Sequence, residues 1–160
     1  MRKLIRDRQV VEDHWQTVTT GEAVPATGDV IVPLATFLAD TPALLDRQGR
    51  LGVLLQPGDG ITELAPHLAR ISLVAINFPV FFDGRGLSCA RELRERHGFH
   101  GEIRAVGDVQ RDVLFGMHRC GFNAFVLPEG KSPESALAAF GDFSTAYQGD
   151  VHQPLPVYRR

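Results

Sequence analysis

Between Leu73 and Leu127 the chain alternates short apolar runs with amphipathic segments, and that alternation leaves few folds open to it. Leu73–Phe78, Ile103–Val106 and Ala124–Leu127 have the length and composition of buried strands, while Ser88–His97 and Val109–Cys120 carry apolar residues at helical spacing. Strands separated by helices pair in parallel, because a parallel neighbour is reached only by a crossover. Upstream, Leu51–Leu55 leads through the turn Pro57-Gly58-Asp59-Gly60 into a helical pattern from about Thr62 to Arg70. Downstream, Ser132-Pro133-Glu134 supplies a hydroxyl cap, a proline at the first helical position and an acid for the dipole, opening a helix over Pro133–Tyr147. The expectation is an α/β fold of four consecutive β-α units over residues 51–148, with a parallel sheet.

Two versions of that sheet are open, a half-(β/α)8-barrel and a flavodoxin-like doubly wound sheet. Arg104 bears on the choice. Side chains alternate along a strand, so Arg104 and Val106 share a face while Ile103 and Ala105 look the other way. An arginine on a covered face costs several kcal/mol unless it is paired. Either Arg104 has an acidic partner or that face opens to a cleft, and the half-barrel is preferred. An open face needs cover from the N-terminal layer or from a second subunit, so a homodimer is expected.

Residues 1–48 read as that cover within a single domain of 160 residues. Residues 3–18 fit an antiparallel hairpin around Arg6-Asp7-Arg8, with Val10, Val11, Trp15 and Val18 available for packing. Val30–Val32 is a short strand, Pro33 begins a short helix, and Thr41-Pro42 begins another with Thr41 as its cap. Residues 149–160 hold two prolines and end in two arginines, which fits an extended tail.

A formal charge of −2, without a basic run, gives no attraction for nucleic acid or for an acidic membrane. No apolar run reaches the roughly 20 residues that span a bilayer, and the start returns to charge too soon for a signal peptide. A cytoplasmic location is the expectation. Cys89 and Cys120 stand in no C-x-x-C motif and read as reduced core thiols. The six histidines show no metal-ligand spacing, and no metal is expected. Neither G-x-G-x-x-G after a strand nor a Walker loop is present, which weighs against an autonomous flavin or nicotinamide enzyme and leaves any cofactor unknown.

In parallel α/β folds the loops leaving the carboxyl ends of the strands gather on one rim, where ligands bind. Here the first such loop is Asp83-Gly84-Arg85-Gly86-Leu87-Ser88, leading into a helix N-terminus whose N–H groups favour anions beside a guanidinium suited to oxyanions. A tight turn, with Asp83 or Ser88 as cap and Arg85 paired to Asp83, explains the same residues. The next loop carries Asp108, Arg111 and Asp112. With Asp108 as N-cap, Asp112 lies one turn above it, so the pair could divide acid and base roles or hold a divalent ion; no third ligand with a recognised spacing supports the metal, and capping with a salt bridge to Arg111 or Arg104 is the preferred reading. Gln56 and Asn77, at strand ends, line the same cleft.

Phe78-Pro79, Phe82-Asp83-Gly84-Arg85-Gly86, Ser88, Leu93-Arg94-Glu95-Arg96, Gly101 through Val109, Arg111-Asp112, Arg119-Cys120-Gly121-Phe122, Phe143-Ser144 and Tyr147-Gln148 together resemble a bacterial domain-of-unknown-function family described as an oxidoreductase involved in sulfite reduction. The resemblance covers about the last two thirds of the chain. It implies an accessory or oxidoreductase component of assimilatory sulfite reduction, in sulfur assimilation and cysteine biosynthesis, that works beside the haem sulfite/nitrite reductase. It brings no catalytic residues with it. Cys120 matches the family and Cys89 departs from it, which argues against a shared disulfide mechanism. The leading expectation is that Asp83, Gly84, Arg85, Gly86, Ser88, Arg104, Arg111 and Asn77 bind a small anion such as sulfite, or the reductase. The rival expectations are an independent enzyme using Asp108 and Asp112, and a structural subunit using the open sheet face.

Overall fold

The structure is a computed structural model that describes residues 2–80 and 84–141. Eight strands form one sheet: β1 (Lys3–Arg6), β2 (Gln9–Glu12), β3 (Gln16–Thr17), β4 (Val30–Pro33), β5 (Leu51–Leu55), β6 (Leu73–Phe78), β7 (Glu102–Gly107) and β8 (Ala124–Phe125), in the spatial order β2-β1-β8-β7-β6-β5-β4-β3. From β3 to β8 every neighbour is parallel, and β1 alone runs the other way, between β8 and β2. The sheet is therefore mixed rather than purely parallel. Its parallel strands follow chain order without the reversal that a flavodoxin-like sheet requires. Right-handed crossovers then place the helices on one face, and the sheet curls as a half-barrel.

The N-terminal residues build this sheet instead of covering it. Asp7 and Arg8, both at positive φ, close a two-residue hairpin between β1 and β2, and β1 lies against β8 with Ile5 opposite Phe125. Trp15 and Val18 are not in that hairpin. Val30–Pro33 pairs with β5 and leads into helix α1 (Leu34–Ala39), so it heads a further strand-helix unit ahead of the four expected. In α2 (Thr41–Asp46) the Thr41 hydroxyl donates to Phe37 O at 2.8 Å rather than capping; Asp40 holds the cap position.

Connectivity forces the curvature. In a flat sheet β2 and β3 would stand roughly 34 Å apart at the usual strand spacing. Only Asp13, His14 and Trp15 join them, so Glu12 and Gln16 are within about 14 Å. Because β2 and β3 also point the same way, residues 9–17 act almost as one strand, pairing with β1 by one half and with β4 by the other.

The two faces hold different cores. On the helix side, Val32, Val53, Leu55, Val74, Ile76, Phe78, Ile103, Ala105 and Phe125 meet Phe37, Leu64, Ala90, Leu93, Leu114, Met117 and Phe122 in one continuous cluster. Inside the curl are two small clusters, Trp15 with Ile31, Leu73 and Ala75, and Leu4 with Ala124 and Val126. Arg104 projects from β7 on this inner face, only 2% exposed. Its Nη1 lies 3.2 Å from Asp13 Oδ1 and its Nη2 3.3 Å from Glu102 Oε1. Asp13 Oδ1 also accepts from the Trp15 amide at 3.1 Å, so the arginine ties the link between β2 and β3 to the middle of the sheet.

Candidate functional site

The carboxyl ends of β5, β6 and β7 lie side by side at one rim. Asn77, the penultimate residue of β6, donates from Nδ2 to Gln56 Oε1 at 2.8 Å, which joins it to the residue leaving β5. On its other side is Gly107, at φ +93, where a Cβ would stand 2.5 Å from both Asn77 Oδ1 and Phe78 O. Glycine is required there by backbone conformation and by space together. The Asp108 amide then donates to Phe78 O at 2.7 Å, so the loops after β6 and β7 leave the sheet in contact.

Helix α3 (Gly84–Glu95) starts four residues before the expected Ser88. Gly84, Arg85 and Gly86 thus form its first turn, and Ser88 is an exposed position within the helix, not its cap. The early start depends on Gly86: a Cβ there would stand 2.6 Å from Phe78 Cζ and 3.1 Å from Ile76 Cγ2, so only glycine lets the helix approach the sheet this closely. Asp83, expected beside Arg85, lies outside the described residues.

Between this turn and the β5 loop is a cleft of about 150 Å³. Leu55, Ile76, Gly86 and Cys89 form its apolar floor, and Gln56, Asp59, Asn77 and Arg85 its polar walls. A wider depression of about 530 Å³ continues outward past Asp59, Arg85, Ser88 and Glu92. Asp59 Oδ2 accepts from the Gln56 amide at 2.8 Å, which fixes the β5 loop. Burial, followed by the nearby Glu92 and Asp59 carboxylates, pushes the Cys89 thiol up to about 11, so it stays protonated and unreactive at neutral pH. Cys89 and Cys120 are not joined in a disulfide.

The second expected cluster is arranged differently. No helix begins at Val109: a 3-10 turn at Arg111–Val113 precedes α4 (Leu114–Cys120). Asp108 is therefore a loop residue, not a cap, and accepts from the Gln110 side chain. Asp112 is exposed in the 3-10 turn, so the helical one-turn spacing to Asp108 does not apply. Arg111 is exposed beside it. Arg104 does not join this rim, because Asp13 and Glu102 hold it inside the curl. Among the described residues no group of three or more His, Cys, Asp or Glu is placed to hold a metal ion, and no helix is long and apolar enough to cross a membrane.

The family model described as bacterial protein of unknown function (DUF934) matches residues 52–158. The chain belongs to this family. The DUF934 match runs from the second residue of β5 through β8 and takes in the whole rim cleft, while the hairpin, β3 and β4 precede it. No match to the chain is found among curated proteins.

Of the residues expected to act together, Asn77, Gly84, Arg85, Gly86 and Ser88 are gathered at the rim, with the Asp108 loop adjoining Asn77. Asp59 and Cys89 belong to the same cleft and were not among the candidates. Asp59 leaves the carboxyl end of a strand, as the other rim residues do, and that position was the available signal. Cys89 follows from the earlier helix start, since it faces the sheet one turn after Arg85.

Proposed function

We propose that this DUF934 chain is an accessory component of assimilatory sulfite reduction that binds a small oxyanion in the rim cleft. The observation that carries the binding half is the cleft itself, where the Arg85 guanidinium in the first turn of a twelve-residue helix stands with the Gln56 and Asn77 amides over a closed apolar floor. A planar cation beside neutral donors in a partly enclosed site suits an oxyanion such as sulfite. Support for sulfur metabolism is the resemblance of the rim string from Phe78 to Asp112, which implies work beside the haem sulfite/nitrite reductase. That reductase is the expected partner.

The test replaces Arg85 by Ala in cells that use sulfate as their only sulfur source. The reading expects slowed growth and lower sulfite reduction while the purified variant keeps the parent's thermal unfolding curve. Normal growth with an intact variant refutes it.

A further inference from the structure

Two side chains of the β5 loop offer the rim cleft the two halves of a hydrogen-bond pair. Asn77 Nδ2 donates to Gln56 Oε1 at 2.8 Å, so the Gln56 oxygen is occupied and its Nε2 is left to donate. Further along the loop, Asp59 Oδ2 accepts from the Gln56 amide at 2.8 Å, and the Asp59 amide donates back to Gln56 O at 2.9 Å. That closed turn fixes donor and acceptor relative to each other. Asp59 is half-buried, and its Oδ1 accepts from none of the described residues. Both residues line the cleft of about 150 Å³. Arg85 faces the same cleft and keeps an interaction of its own, so the choice among oxyanions falls to the β5 loop. The other ionisable groups beside Asp59 are Cys89 and Glu92, also from α3. Glu92 is paired with Arg96 at 3.2 Å and the Cys89 thiol stays protonated, which leaves Asp59 as the charged acceptor facing the cleft. A bare oxyanion answers the Gln56 donor and is repelled by Asp59. One that carries a hydroxyl answers both, with an unprotonated oxygen on Gln56 Nε2 and its O–H donating to Asp59 Oδ1.

We propose that Asp59 selects the protonated form of the oxyanion, so that the cleft takes hydrogen sulfite and other hydroxyl-bearing oxyanions and rejects sulfate. The inference rests on the reading that the rim cleft binds a small oxyanion, and it names the class of oxyanion admitted. Sulfite takes up a proton near neutral pH, whereas sulfate stays a bare dianion. The two differ by one oxygen, and Asp59 tells them apart by the proton. An anion that lacks the hydroxyl forfeits one charge-assisted hydrogen bond and meets a carboxylate instead, a loss of about ten-fold or more in affinity.

The test is calorimetric titration of the full chain with sulfite, selenite, phosphate, sulfate and nitrate, in buffers from mildly acidic to mildly alkaline. The same titrations are run on Asp59→Asn, which keeps an oxygen for the Gln56 amide and puts a donor in place of Oδ1. In the parent, sulfite, selenite and phosphate are expected to bind at least about ten-fold tighter than sulfate and nitrate. Sulfite is expected to weaken as pH rises and the ligand loses its proton. In Asp59→Asn sulfate should gain about ten-fold, and the pH dependence for sulfite should be lost. The parent's selectivity and its pH dependence stand as a test without the variant. Sulfite and sulfate binding alike in the parent, or a preference for sulfite that Asp59→Asn leaves unchanged, overturns the role of Asp59 and leaves the oxyanion site standing. No binding of any of the anions overturns both.

Discussion

Asp13→Ala tests the idea that one buried ion pair fastens the link between β2 and β3. The perturbation removes the Arg104 Nη1 contact at 3.2 Å and the acceptor for the Trp15 amide. The side chains of Asp13 and Arg104 are 9% and 2% exposed, so the pair is in the class whose disruption costs about 3–5 kcal/mol, not in the surface class worth about 1 or less. Glu102, 11% exposed and 3.3 Å from Nη2, stays as a second partner, and Arg104 Nε has none among the described residues. Both facts favour the lower end, about 3 kcal/mol. For a chain of this size that lowers Tm by about 6–12 °C. The assay is urea unfolding followed by circular dichroism and by fluorescence of Trp15, the single tryptophan of the chain, which packs beside the pair. A triple variant, Asp13→Asn with Arg104→Met and Glu102→Gln, is expected to recover most of the loss, because a fully uncharged replacement leaves no uncompensated charge. A loss below about 1 kcal/mol for Asp13→Ala would refute the reasoning by placing the pair among ordinary surface contacts.

Two further predictions follow from the same geometry. Gly86→Ala should destabilise by about 1–3 kcal/mol, because the new methyl group meets the buried Phe78 ring at 2.6 Å, whereas Gly84→Ala, with nothing among the described residues within 4 Å, should change little; equal urea midpoints for the two would contradict the close helix approach. Glu102 is raised above 4.5 chiefly by burial, with Arg104 and Arg6 opposing, so the folded state holds its proton longer than the unfolded one and this group's contribution to stability is lost as pH rises through the window just above 4.5. Glu102→Gln should therefore gain relative to the parent between pH 4.5 and 7 in urea midpoints; a difference independent of pH would contradict the burial.

What the sequence made legible was set by range. The runs Leu51–Leu55, Leu73–Phe78 and Ile103–Val106 are strongly apolar and joined by crossovers, so strands, directions and order follow from local pattern and chain rules. Ser132 shows the same for caps: it accepts from the Ser135 amide, as its Ser-Pro-Glu context predicts. Arg104 was half legible. Strand alternation says that a buried arginine needs an acid, yet nothing local says that the acid is Asp13, on a segment that reaches it only when the sheet curls. The start of α3 was obscured for another reason. Gly84 and Gly86 read as loop signals, and the preference was overridden by packing, since the glycine that weakens a helix in isolation is what seats this one on Phe78. Asp108 and Asp112 were misplaced because the Asp108 amide is committed to Phe78 O, which holds the chain in a loop until Arg111.

The segment of residues 9–17, β2 and β3 with the link between them, works as a clasp, and a clasp has a fastening order. Its neighbour β1 is made well before β8, the strand with which it pairs. That long closure carries an entropic cost met only once β8 has been made. Until then the nascent protein is an unlaced ribbon with two bare margins, each able to pair with a stranger. Once laced, residues 9–17 occupy both margins at once, and the finished molecule gives neighbouring chains little ladder on which to aggregate.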